Sequence, residues 1–423
     1  MTTLQATPVA LDAEWVRAQF PALDLKDEGR PVVYLDNPAG TQVPARTIAA
    51  IAEYLTGANA NVHGPFLTSR RTDAMLAAVR QGMADFLGAG SPREIILGPN
   101  MTTLTFALSR AIGRRLAPGD EILVTDLDHD ANVTPWADLA ERGVAVKRVP
   151  VRLEDCTLDM EALAGLLSPR TRLVAVTYAS NAVGTVTDVA EVARLAHTAG
   201  ALCWVDAVHY GPHGPIDVQA LDVDFLVCSA YKFFGPHLGI LWGRAALLEE
   251  LQPYQLRPAP HTVPEKFENG TKNHECLAGL MGTLDYLAEL GRRLQPEGDT
   301  LAQGPALKAA MTTIQAYEAT LGSALLTGLA GVPGLRLYGI ADPARMAERV
   351  PTVAFTLAGH ATADVGRALA AAGIFAWTGN YYALDLMDRL GLEAAGGAVR
   401  IGAVHYNTPA EITRLVETLH QLV

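Results

Sequence analysis

The sequence predicts an α/β fold: a large unit built on a mostly parallel sheet with helices on both faces, then a smaller α+β unit. Three observations carry this. Between residues 90 and 245, short apolar runs alternate with amphipathic stretches of helical period, as in strands joined by crossover helices. Polar residues stand directly after consecutive apolar runs, where open parallel sheets gather their ligands. The 423 residues, 49% apolar and 18% charged, suffice for more than one folding unit around a sizeable interior.

In chain order, strands are expected at Glu94–Leu97, Glu121–Thr125, Val144–Pro150, Leu173–Thr177, Ala201–Val205, Phe225–Ser229 and Gly239–Trp242. These would give the large unit a seven-stranded sheet. Helices are expected between them at Thr103–Arg115, Met160–Leu167 and Val189–Thr198. Residues 250–275, rich in Pro, His and polar residues, read as a long excursion. Helical periodicity returns over 276–330, broken by Gln295-Pro-Glu-Gly298. Strands at Leu335–Ile340, Thr352–Leu357 and Val399–Ala403, with helices at Ala363–Ala372 and Pro409–Leu422, complete the smaller unit. The division expected is residues 1–30 as an N-terminal segment packing on the small domain, 31–290 as the large domain and 291–423 as the small one.

Charge narrows the class. The formal net charge of −12 argues against a broad basic surface for nucleic acid. The N-terminal stretch lacks the basic start and apolar core of a signal peptide, and no apolar run is long enough for a membrane helix. A cytoplasmic protein without membrane partners is expected. Cys156, Cys203, Cys228 and Cys276 show no paired spacing, and Cys203 and Cys228 fall inside apolar runs, where a thiol is buried and inert. No phosphate-binding Gly-rich Lys motif and no His-Glu-x-x-His occur, so neither a nucleotide hydrolase nor a zinc site is expected.

The residues at the strand ends carry the chemistry. Thr102 and Thr103 open a helix, where free amides and the helix dipole suit a phosphate, although threonine also caps helices routinely. His129 follows the second run and Asn181 the fourth. Asp206 ends an apolar strand, where a carboxylate needs a positive or donating partner. Lys232 sits in Ser229-Ala-Tyr-Lys-Phe-Phe-Gly-Pro236, among apolar and aromatic neighbours that should lower its amine pKa and make it a nucleophile. A reactive lysine, a carboxylate one strand away, a ring-bearing histidine and a phosphate-ready helix start match what pyridoxal 5'-phosphate (PLP) needs.

With these residues in view, the chain resembles the class V aminotransferase family of fold-type I PLP enzymes, nearest the cysteine desulfurase and selenocysteine lyase branch. The pattern runs through YLDNPAGTQVP (34–44), NANVHGPFLTS (59–69), DLDHDANVTPW (126–136) and VTYASNAVGTVTDV (176–189). It continues in CWVDAVHYGPHGPIDVQALDVDFLVCSAYKFFGP (203–236), FENGT (267–271) and VRIGAVHYNT (399–408). The resemblance implies that Lys232 binds the cofactor covalently and that His129 stacks on its ring. It implies that Asp206 pairs with the ring nitrogen, with Asn181 and His209 near the phenolic oxygen. Thr102, Thr103 and Ser229 would hold the phosphate, beside Tyr231. Thr271 would reach a neighbour's phosphate, which implies a homodimer with composite sites. Arg400 would grip the substrate α-carboxylate, with Asn37, Ala39 and Gly40 lining that pocket and His63 nearby.

The departures from the pattern are informative. Desulfurases of this branch carry a cysteine on a mobile loop of the small domain. The matching stretch here, FAWTGNYYALDLMDRLGL (375–392), places Tyr382 at or within one residue of that position, and no cysteine follows Cys276. Gly64 replaces an arginine, and Lys272 replaces a proline. Tyrosine cannot form a persulfide. The expectation is therefore a PLP enzyme acting on an α-amino acid by β-elimination, as carbon–sulfur lyases do. Transamination to a keto acid and epimerisation stay open as alternatives.

Overall fold

The structure, a computed structural model, describes residues 11–423. Seven strands form its main sheet: β1 (Ile95–Gly98), β2 (Glu121–Thr125), β3 (Ala145–Val149), β4 (Thr171–Thr177), β5 (Leu202–Asp206), β6 (Phe225–Ser229) and β7 (Gly239–Gly243). Their order is β1-β7-β6-β5-β4-β2-β3. Strands β2 to β6 pair in parallel, and β7 pairs antiparallel with both β6 and β1. Strands β2, β6 and β7 are buried along their whole length, so they read as unbroken apolar runs and not as alternating ones.

Alternate residues of each strand feed two cores. Val174, Val176, Cys203, Val205, Leu226 and Cys228 face one, and Leu173, Ala175, Trp204, Phe225 and Val227 face the other. The first core is completed by α1 (Leu67–Leu87), α3 (Val189–Thr198) and α4 (His274–Arg293), and the second by α2 (Met101–Gly113). The fold class expected from the sequence is the fold observed.

Helix α5 (Gln303–Ala330) is 28 residues long and joins the two units. Its first half (Ala306, Ala310, Ile314) lies in the main core, and its second half (Leu321, Leu325, Leu329) lies in the core of the smaller unit. That unit holds an antiparallel sheet of β8 (Leu335–Tyr338), β9 (Thr352–Leu357), β10 (Trp377–Gly379) and β11 (Ala398–Gly402), in the order β8-β9-β11-β10. Val33–Tyr34 pairs in parallel with Ile374–Phe375, and Val33 and Leu35 join the small core. Closer to the N-terminus, Val16 and Phe20 sit in the main core, and Trp15 stacks on Tyr286.

Two local differences from the sequence reading bear on the site. Helix α2 begins at Met101 and not Thr103, because the Asn100 side chain accepts from the Thr103 amide at 2.8 Å and caps the helix there. Strand β10 was not anticipated; it pairs with β11 and brings residues 377–379 to the rim of the main sheet's cleft. Residues 251–273 contain only one short helical turn, Glu265–Phe267. The buried Glu268 beyond it accepts two bonds from Arg80 at 2.8 and 2.7 Å and pairs with Lys272 at 2.8 Å. A proline at position 272 would forfeit that pair. No helix among the described residues is long and apolar enough to cross a membrane.

Candidate active site

A cavity of about 530 Å³ opens at the carboxyl ends of β2, β4, β5 and β6, and the smaller unit closes it with residues 377–382, Glu393, Gly396, Gly397 and Arg400. Lys232 enters it from a single turn, Ala230–Lys232, directly after β6. Its Nζ donates to the carbonyls of Pro38 and, at 2.9 Å, Ala39. Burial, helped by the positive Arg400, brings the amine down to about 7. An amine with that pKa is substantially unprotonated at neutral pH and can attack a carbonyl.

Asp206 ends β5, and its Oδ1 accepts from the Val208 amide at 2.8 Å. Burial raises its carboxyl to about 6, with the Val208 bond and the Lys232 charge acting the other way. His129 follows β2, and its Nδ1 accepts from the Ala131 amide at 3.0 Å. Burial, then the charges of Lys232 and Arg400, pushes its imidazole down to about 4, so the ring is neutral. The ring of Tyr382 stacks on it, with centroids 5.3 Å apart and planes 23° apart. His209 lines the cavity as a neutral ring whose Nε2 lies 3.0 Å from the Thr352 hydroxyl.

The amino end of α2 meets the end of β6. Ser229 Oγ accepts from the Met101 amide at 3.1 Å, and Thr102 lines the cavity. Gly239 makes this junction possible, since a Cβ there would lie 2.3 Å from the Asn100 carbonyl carbon. Thr103 stands one residue outside the lining and is exposed.

On β11, Arg400 is 3% exposed. Its Nη1 donates to the Asn181 carbonyl at 3.1 Å, its Nη2 lies 3.6 Å from Asp36, and its plane sits 4.3 Å over the Tyr381 ring. The Arg400 Nε and Asn181 Oδ1 are buried without partners among the described residues. The Asn181 amide nitrogen donates to the Tyr381 carbonyl at 2.9 Å. Two consecutive tyrosines, Tyr381 and Tyr382, hold left-handed backbone angles, φ 56° and 60°. Such angles are costly for bulky residues and persist only where surroundings fix them.

Of the residues singled out in the sequence, Ala39, Thr102, His129, Asn181, Asp206, His209, Ser229, Tyr231, Lys232, Tyr382 and Arg400 line this one cavity. Asn37 does not. Its amide donates to the carbonyls of Tyr34 (3.0 Å) and Gly402 (2.7 Å), which ties residues 34–37 to β11 of the smaller unit. Gly40 packs against the Tyr231 ring. His63 is exposed beside Asp73, and Thr271 lines a separate surface cleft. The sequence reading missed Asp36, whose partner Arg400 is distant in sequence, and Asn100, which caps α2 and lines the cavity. Asp128 stands out in the sequence only as the neighbour of His129 at that strand end, with no role of its own; it is buried behind that histidine against Asn132 and Thr125.

The donor set suits PLP: a near-neutral buried amine for the aldehyde, a buried carboxylate for the ring nitrogen, a neutral imidazole for the ring face and a capped helix start with Ser229 for the phosphate. The orphaned Arg400 Nε and Asn181 Oδ1 leave donor and acceptor capacity for a substrate or cofactor oxygen and proton. This defines a pyridoxal-phosphate enzyme. The sequence model of the class-V aminotransferases matches residues 33–303 and 306–415, and the chain belongs to that family.

A cysteine desulfurase of Klebsiella pneumoniae subsp. pneumoniae is 35% identical over 429 residues, covering 98% of this chain and 99% of that protein. The crystal structure of the Escherichia coli cysteine desulfurase CsdA, 28% identical, superposes with a TM-score of 0.83 over 98% of both chains. An apo cysteine desulfurase from Thermococcus onnurineus, 26% identical, gives 0.86 over 99% of both.

Proposed function

We propose that this enzyme is a carbon–sulfur lyase that cleaves cysteine-type amino acids by β-elimination, without a persulfide on its own chain. The observation that carries this is the loop closing the cavity. It lines the cavity with Tyr381 and Tyr382, the residues we match to the carrier cysteine of desulfurases, and it is tied down. Asn181 donates to the Tyr381 carbonyl, and the Asp130 amide donates to the Tyr382 carbonyl at 2.7 Å. A sulfur carrier has to leave the pocket, and these bonds resist that. No cysteine lines the cavity; Cys156, Cys203 and Cys228 are buried, and burial raises each thiol's pKa.

PLP, when bound, supplies an electron sink for the pair released at the substrate Cα. The chain's residues do the rest. Arg400 holds the α-carboxylate with its forked guanidinium. The Lys232 amine takes the Cα proton, which its near-neutral pKa permits. Asp206 holds a proton at the ring nitrogen, and His129 covers the ring face. The Cβ–S bond then breaks and the thiol leaves with a proton. For R–S–CH2–CH(NH3+)–COO− and one water, the products are RSH, pyruvate and ammonium.

Thr271 and His63 stand away from the cavity, near the exposed side chains of Phe66, Leu67 and Leu256. In this reading two copies pair through that face, and Thr271 serves the neighbour's phosphate. Incubation with a cysteine S-conjugate and no keto acid tests the activity. Catalytic release of thiol, pyruvate and ammonium is expected. A single turnover that stalls with the cofactor in its amine form would instead identify an aminotransferase.

A further inference from the structure

The cavity's outer wall comes from the smaller unit and includes Trp377, Asn380, Tyr382 and Glu393. Trp377 is 56% exposed and Tyr382 68% exposed, so two large rings face an open site. The backbone beneath each ring is held firmly. Tyr382 is fixed at φ 60° by the bond from the Asp130 amide and by its stacking on His129. Trp377 lies in β10, whose end packs backbone to backbone on the neighbouring loop: a Cβ on Gly397 would lie 2.0 Å from the Gly379 oxygen. The Asn380 amide donates to Glu393 Oε1 at 3.0 Å and sets that carboxylate on the wall. Trp and Tyr rings bind apolar surface with little entropy lost, because each has only two side-chain torsions to fix.

Charge adds direction. The lining's cations are Arg400 and Lys232, both well inside, and the outer wall's charged group is the acidic Glu393. An amino acid with its carboxylate on Arg400 directs its side chain away from that positive end. A second carboxylate there would meet Glu393, whereas an aryl group would meet Trp377 and Tyr382.

We propose that the substrate is a cysteine S-conjugate whose sulfur carries an aryl or arylalkyl group, uncharged or cationic, and not free cysteine or a dicarboxylic conjugate. This rests on the lyase reading, so binding and turnover are tested separately. L-Homophenylalanine replaces the sulfur of S-phenyl-L-cysteine with a methylene and cannot release a thiol. Spectral titration of the holoenzyme should show it binding about 10-fold or more tightly than L-2-aminobutyrate, with L-2-aminoadipate the weakest. Trp377→Ala should lose about 3- to 10-fold for L-homophenylalanine while L-2-aminobutyrate binding stays little changed, Tyr382→Ala should lose at least as much for L-homophenylalanine, and Tyr382→Phe should keep it. Glu393→Gln should strengthen L-2-aminoadipate binding severalfold. Each variant's cofactor absorbance verifies that it is folded and loaded; should an alanine variant fail this, Tyr382→Phe and Glu393→Gln carry the test. Equal binding of L-homophenylalanine and L-2-aminobutyrate by the unaltered enzyme overturns the proposal. Selective binding without thiophenol release from S-phenyl-L-cysteine leaves the side-chain preference standing and sinks the lyase reading instead.

Discussion

The guanidinium of Arg400 lies 4.3 Å over the ring of Tyr381, and the hydroxyl of that tyrosine donates to the Ala398 carbonyl two residues before the arginine. The ring therefore supports a buried cation whose one direct hydrogen bond among the described residues goes to the Asn181 carbonyl. Stacking of this kind contributes about 2 kcal/mol when desolvated. Tyr381→Leu should raise KM for an amino-acid substrate roughly 10-fold, with kcat changed less than about threefold, because the loss falls on ground-state binding. Tyr381→Phe keeps the ring and should stay within about threefold of the parent. Steady-state kinetics decide, with an amine lacking the α-carboxylate as a control whose binding should not change.

Arg400 also depends on its fork. One arm reaches the Asn181 carbonyl and another faces Asp36, while Nε has no partner. A lysine keeps the charge but cannot serve these directions at once. Arg400→Lys should raise KM by about 100-fold while the visible absorbance of the lysine-bound cofactor is unchanged. Loss of that absorbance would mean that Arg400 supports the cofactor and not the substrate.

The sequence carried the main sheet and the floor of the site well, for a physical reason. Parallel strands buried on both faces leave unbroken apolar runs, and their ligands stand at the next few residues, as Asp206 and Lys232 do. The outer wall was less legible. Strand β10 is three residues long and takes its identity from pairing with β11, some twenty positions away. Asp36 meets Arg400 across more than 360 residues, and no local pattern signals such a pair. Asn37 misled because it stands in a matching motif, yet its amide is used up on the carbonyls of Tyr34 and Gly402. Tyr382 was legible as a departure from a pattern, but its stacking on His129 was not.

Asp128 lies behind the ring-stacking histidine, fully enclosed, and burial raises its carboxyl to about 8, with the Asp206 charge adding to that. Its folded pKa lies above the unfolded value near 4. The stability it contributes is therefore complete below about pH 4 and is lost as pH rises toward 8. At neutral pH it is largely uncharged, and an asparagine reproduces its contacts with Asn132 and Thr125. Asp128→Asn should fold and bind cofactor. Its melting temperature relative to the parent should improve steadily from pH 5 to pH 8. A constant difference across that range would show that Asp128 is ionised throughout.

Lys232 offers the most direct test of the site's electrostatics. In the folded chain its amine titrates at about 7, lowered by burial and by Arg400, against 10.5 for an ordinary lysine. Only the neutral amine attacks an aldehyde. Apoprotein mixed with PLP should therefore capture it about 10-fold more slowly at pH 6 than at pH 8, with the rate levelling above about pH 8. An unperturbed lysine would keep accelerating past pH 9. Arg400→Met removes the nearby positive charge that opposes protonation, so the midpoint should move upward. Lys232→Ala should abolish the visible band near about 420 nm altogether. Stopped-flow absorbance across pH 5.5 to 9.5 reads all three outcomes. A rate that climbs without a plateau would mean that the cavity does not tune this amine.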